Sequence, residues 1–146
     1  MHLRSTAMAV LVALTATFTQ HAIAGSQDSS FAECTQASNA SDWKKAESLS
    51  RARLLRDQYD APGLLCMGFA LEQQKRFEDA LAIYQKMELA NPTQYRWNEM
   101  QLIRMYFGLS QTHKQLGHQK EAAYFENLFN LMSQDFGRRL LGNPVK

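Results

Sequence analysis

Residues 61–94 read APGLLCMGFALEQQKRFEDALAIYQKMELANPTQ, and their apolar residues recur at helical rather than strand-like spacing. Leu64, Met67, Gly68 and Leu71 form one stripe, and Phe77, Ala80, Leu81, Tyr84 and Met87 form a second. Two helices in succession are the expectation. Asp60 suits the N-cap of the first, and Pro62 suits its first turn. Asn91-Pro92 stops the second, because proline disfavours helical backbone at the residue before it. Gly68 and Ala80 lack bulk, so the two helices approach closely there and the larger residues fill the flanking space.

The pattern extends in both directions. Shifted back by 34 residues, it puts Cys34 on Gly68, Ala46 on Ala80 and Phe31 on Leu65, with Trp43 on Phe77. Forward, the stretch QLGHQKEAAYFENLF places Gly117 in the turn and Ala122 on Ala80. Tyr106, Leu109 and Ser110 then take the places of Leu64, Met67 and Gly68. This forward step is 42 residues rather than 34, and the extra eight amount to about two helical turns. Trp97, Met100 and Ile103 continue the apolar stripe through that insertion. A long helix over about 95–116 is the expectation. Gly137 is a candidate stop for the last helix.

The 61–94 segment resembles a tetratricopeptide repeat, a 34-residue helix–turn–helix unit. With Ala61 as position 1, Leu64, Met67, Gly68, Leu71, Ala80, Tyr84 and Pro92 fall where that repeat has its bulky, small, aromatic and proline positions. Lys75 departs from its usual turn glycine. The flanking copies are imperfect, through Glu33 and Ala37 in the first and His113 and Glu126 in the third. The resemblance covers about 27–136. It implies an all-α fold, a short right-handed α-solenoid of about three helical hairpins. The helical domain is then 25–136, and 137–146 form a tail that caps the last repeat or self-associates.

The resemblance also implies a concave groove lined by the first helix of each repeat. It falls on Phe31, Thr35, Ser38 and Asn39, then Leu65, Phe69, Glu72 and Gln73, then Arg104, Phe107, Gln111, Lys114 and Gln115. Such a groove has an apolar floor and a polar-to-basic end, and it suits a peptide with apolar anchors. The family's carboxylate clamp needs Lys and Asn where this chain has Phe31, Thr35, Leu65 and Phe69, so that mode of binding is not expected. The alternative is that these side chains pack against the N-terminal segment or the tail. In the repeat frame Cys34 and Cys66 lie on adjacent first helices at nearly matching heights. A disulfide is one reading of the pair, and two buried thiols at small core positions are the other.

Length and composition narrow the function. The chain has 146 residues, one domain's worth, with a net charge of +2. That balance excludes a nucleic-acid footprint. Two cysteines exclude both a small disulfide scaffold and a four-cysteine zinc site. Residues 1–24 carry Arg4, an apolar stretch over Met8–Leu14 and an Ala22-Ile23-Ala24 cleavage pattern, the layout of a secretory signal peptide. The expected location is therefore periplasmic or secreted.

Metal and catalytic signatures are absent. His113 and His118 are five apart, which does not place them on one helical face, and no HExxH occurs. There is no GxSxG motif, phosphate loop or recognisable Cys–His pair. Glu72 with Glu78 or Asp79 is the best available carboxylate pair, but Glu78 and Asp79 open a helix, where acids favour the dipole. No cofactor, metal or catalysis is expected. The function implied by the resemblance is a protein–protein interaction module of the bacterial envelope. It would act as an adaptor or assembly factor for a complex such as a secretion or pilus system. The alternative is a self-associating scaffold, a homodimer without a peptide groove.

Overall fold

A computed structural model describes residues 25–90, 95 and 97–142, with the side chains of 25–31 excepted. Residues 1–24, expected from sequence to be a signal peptide, the expected helix stop at Asn91-Pro92 and the Phe31 side chain lie outside the described residues. The described chain is all-helical: α1 (Gly25–Asn39), α2 (Trp43–Leu54), α3 (Ala61–Gln73), α4 (Phe77–Leu89), α5 (Glu99–Gln115) and α6 (Gln119–Leu140).

Helix starts follow capping chemistry. The Asp60 carboxylate accepts a hydrogen bond from the Gly63 amide at 2.7 Å, with Pro62 in the first turn of α3. The same carboxylate takes a two-point ion pair from Arg53 at 2.6 and 2.8 Å, which ties the end of α2 to the start of α3. Asp42 caps α2 by accepting from the Lys45 amide. At α5 the start lies later than the apolar stripe implies. Asn98 and Gln101 form a reciprocal capping box at 2.9 and 2.8 Å, which fixes the first turn at Glu99. Trp97 is thereby left outside the helix, and its indole N–H donates to the Tyr59 carbonyl at 3.1 Å.

The last helix also departs from expectation. Gly137 does not stop α6, which runs on to Leu140 and therefore takes in the start of the 137–146 tail. A helix interior tolerates one glycine at a cost of about 1 kcal/mol when other contacts hold it. Here Arg139 bridges Asp135 one turn back and Glu99 at the start of α5. Gly142, with φ +70°, follows the helix end.

Three turns repeat one backbone device. Ser41, Lys75 and Gly117 have φ of +56°, +60° and +78°. They stand 34 and 42 residues apart, the same two steps as the sequence pattern. Each reverses the chain between a helix and the next. Only glycine adopts this conformation without steric cost, so Lys75 and Ser41 are held there by the packing of the hairpins they join.

Consecutive helices pack against one another, and α3 also touches α1 and α5. Among the described residues the backbones of α2, α4 and α6 do not come close to one another, although Glu47 of α2 pairs with Arg76 at the start of α4 at 3.0 Å. The molecule is thus two layers, α1–α3–α5 and α2–α4–α6. Leu64, Met67, Leu71, Ala80, Tyr84, Met87, Met105, Leu109 and Phe125 form the main core. Cys34, Ala37, Ala46, Cys66 and Ala70 form a smaller one between α1, α2 and α3. Ala37, an apparent misfit by sequence, is buried there because two small helix faces meet.

The two contacts within the α1–α3–α5 layer are filled differently. Between α3 and α5, the Tyr84 ring from α4 lies against two glycines. A Cβ built on Gly68 would stand 2.5 Å from Tyr84 Cζ, and one on Gly108 would meet the same ring atom. The close approach expected at Gly68 is therefore made to a ring. Between α1 and α3 the corresponding residues are Cys34, Ser50 and Cys66. Ser50, 34 residues before Tyr84, is too small to fill the gap, and the sulfur pair fills it. The Cys34 and Cys66 sulfurs are within bonding distance, with Cα atoms 6.6 Å apart. Ser50 donates instead to the Ala46 carbonyl at 2.8 Å.

Candidate functional site

The layer α1–α3–α5 encloses a cleft of about 320 Å³. α1 contributes Thr35, Ser38 and Asn39 beside Cys34, and α3 contributes Leu65, Phe69 and Glu72 beside Cys66. α5 contributes Arg104, Phe107 and Gly108, and Tyr84 closes the back from α4. The structure thus brings together Leu65, Phe69, Glu72, Arg104 and Phe107 of the groove read from sequence, with Thr35, Ser38 and Asn39 opposite. Gln73, Gln111, Lys114 and Gln115 are not among the lining residues. Gln73, Lys114 and Gln115 are exposed on α3 and α5, and Gln111 is half-buried. These four lie toward the C-terminal ends of their helices, beyond the enclosed part of the cleft.

The apolar walls are propped from behind. Phe69 is 42% exposed and stands edge-on to Trp43 at 5.6 Å between ring centroids. Phe107 is 48% exposed and leans on Phe129 of α6 at 5.3 Å. Each ring is braced on one side by a second ring and partly exposed elsewhere, which restrains it without removing it from the surface.

Glu72 is the half-buried acidic group of the cleft, and burial rather than solvation defines it. Thr112 donates to one carboxylate oxygen at 2.5 Å, and Tyr84 donates to the other at 3.4 Å. Burial pushes the Glu72 carboxyl above the usual carboxylate range, and the two hydroxyl donors oppose that rise. Tyr84, 3% exposed, is held well above the usual phenol value by burial first and by the Glu72 charge second. Arg104 is exposed and makes no ion pair among the described residues.

Glu78 and Asp79 open α4 as exposed side chains, and Asp79 pairs with Arg76 at 2.7 Å. That is a helix-start arrangement, as the sequence implies.

The histidines need a correction. His113 and His118 do not share a helical face, yet the left-handed turn at Gly117 folds one ring onto the other. Their Nδ1 atoms are 3.1 Å apart. His113 is buried, stacked on Phe125, and its pKa is lowered by that burial and then by His118. Among the described residues no three His, Cys, Asp or Glu side chains group to hold a metal ion.

Sequence reasoning did not foresee Gly108 or the Tyr84 hydroxyl as parts of the cleft, nor buried Thr112 as the donor that holds Glu72. Gly108 was visible as the residue 42 positions after Cys66. Thr112 gave no signal, because its role depends on where α5 crosses α3. Compared with protein-family models, curated proteins and solved structures, the chain has no match.

Proposed function

We propose that this chain is a non-catalytic binding module whose cleft receives a peptide segment of a partner protein. The observation that carries the reading is the convergence of three inner helices on one cleft with propped, half-exposed Phe69 and Phe107. Large aromatic side chains held in place at a cleft mouth bind with little loss of freedom, which is how such residues come to dominate interfaces. The two-layer packing and the left-handed turns at Ser41, Lys75 and Gly117 support a tetratricopeptide-like, right-handed solenoid of three hairpins. The signal-like segment 1–24 and the Cys34–Cys66 pair support export to the periplasm or beyond. An adaptor or assembly role in an envelope complex is the matching activity.

The test uses Phe69→Glu and Phe107→Glu with a photo-crosslinker placed in turn at Leu65 and at Leu141. The expected result is a crosslink from Leu65 to one defined protein, lost in both variants while circular dichroism is unchanged. Wild-type crosslinking by both variants refutes the cleft.

One observation favours a second reading, a self-associating scaffold. Tyr124, Leu131, Leu140 and Leu141 on and beside α6 are 58–80% exposed. A dimer by light scattering that Leu131→Lys dissolves would support it, and a monomer at high concentration would remove it.

A further inference from the structure

We infer that the cleft selects a peptide that sets a lysine or arginine side chain on the Glu72 carboxylate and an adjacent acidic side chain on Arg104. This rests on the binding reading above and adds the chemistry of the ligand.

Three observations carry it. First, the Glu72 carboxylate is oriented but not neutralised. Both its donors, Thr112 and Tyr84, are uncharged hydroxyls, and each oxygen keeps a lone pair. No cation lies within ion-pair distance of it among the described residues. A half-buried carboxylate held in this way is a ready acceptor for a cation, and a cation set against it would oppose the rise that burial imposes on its pKa. Second, the cleft that holds it is also lined by Leu65, Phe69 and Phe107. An apolar and aromatic lining suits the methylene stem of a long basic side chain, and ring faces attract its charged head. Third, Arg104 lines the same cleft, exposed and without an ion pair among the described residues. A lone cation entering there would meet repulsion from Arg104, whereas a cation flanked by a carboxylate would not. Charge complementarity therefore asks for both signs side by side.

The experiment selects random short peptides on the full oxidised chain, with counter-selection on Phe69→Glu. Retained peptides are expected to carry Lys or Arg beside Asp or Glu. Replacing that Lys or Arg by norleucine in a synthetic copy should weaken binding by about thirtyfold, the low end for a desolvated charge pair. Glu72→Gln should bind the basic and norleucine peptides alike, with its folding checked by circular dichroism. Retained peptides that are merely apolar, or equal discrimination by wild type and Glu72→Gln, overturn the inference and leave the cleft reading standing. A selection in which wild type and Phe69→Glu retain the same peptides refutes the cleft reading itself.

Discussion

Removing the Cys34–Cys66 link should release one helix and leave the rest folded. The link closes a loop with a sequence separation of 32. In the chain-entropy model such a loop contributes about 3.7 kcal/mol at room temperature. The contribution falls mainly on α1 because little else holds that helix. Cys34 and Ala37 are its buried apolar residues in the described part, and alanine buries little area. Its fifteen residues include Gly25 and four serines, so it is marginal in isolation. A Cys34→Ala/Cys66→Ala chain should therefore expose the amides of residues 32–39 to exchange. The protection lost there should be roughly 500-fold, the equivalent of about 3.7 kcal/mol. Protection at Leu64 and Leu109, which are fully buried in the main core, should change far less. Hydrogen exchange read by mass spectrometry on the oxidised and variant chains measures both. Equal protection of α1 in the two chains refutes the reasoning. So does a uniform loss over all six helices, because α1 would then not be a separate unit.

Other consequences follow from the packing. Gly68→Ala should lower stability by about 2 kcal/mol, since its Cβ would overlap the Tyr84 ring, and Tyr84→Leu in that background should restore part of the loss. Urea unfolding midpoints at constant slope measure both, and an unchanged Gly68→Ala midpoint would show that the ring yields. Lys75→Gly should raise stability by about 0.5–1 kcal/mol by relieving its left-handed backbone, read as a higher melting temperature. The pH dependence follows from Glu72. Its folded pKa is raised, so the stability it contributes is complete below the ordinary carboxylate range and is lost as pH rises through the folded value. Melting temperatures of wild type should therefore fall relative to Glu72→Gln as pH is raised from about 4 toward neutrality. A difference that does not vary with pH would contradict the burial of this carboxyl.

How much of this was legible depended on whether a feature was local. Asp60 capping α3 and the stripe Leu64, Met67 and Leu71 were readable because caps and helical periodicity act within a few residues. The pairing of Cys34 with Cys66 was readable only through the repeat frame, which places them at matching heights on neighbouring helices. The start of α5 was misplaced because the apolar stripe through Trp97 outweighed Asn98-x-x-Gln101, a box made of weaker but decisive polar contacts. His113 and His118 were read as off one helical face, but that spacing could not show that the left-handed Gly117 in the turn between them brings their rings together. Glu126 marked the third copy as defective at its aromatic position. Phe125, one residue earlier, is buried instead and stacks on Tyr106 and His113. Within the cleft, the lining side chains of α3 could be read from their own helix. The restraint on Glu72 could not, because it is supplied by Thr112, forty residues away.

The placement of the indoles makes the molecule its own optical reporter. The sequence has two tryptophans, and they sit near opposite ends of α3. Trp43 touches Phe69 at the cleft, while Trp97 lies beside Tyr95 and donates to the Tyr59 carbonyl just before α3 begins. With Trp97→Phe, the remaining emission monitors the ring that borders the cleft. With Trp43→Phe, it monitors the loops at the far end. An occupant of the cleft would then alter one spectrum and spare the other, with no attached dye.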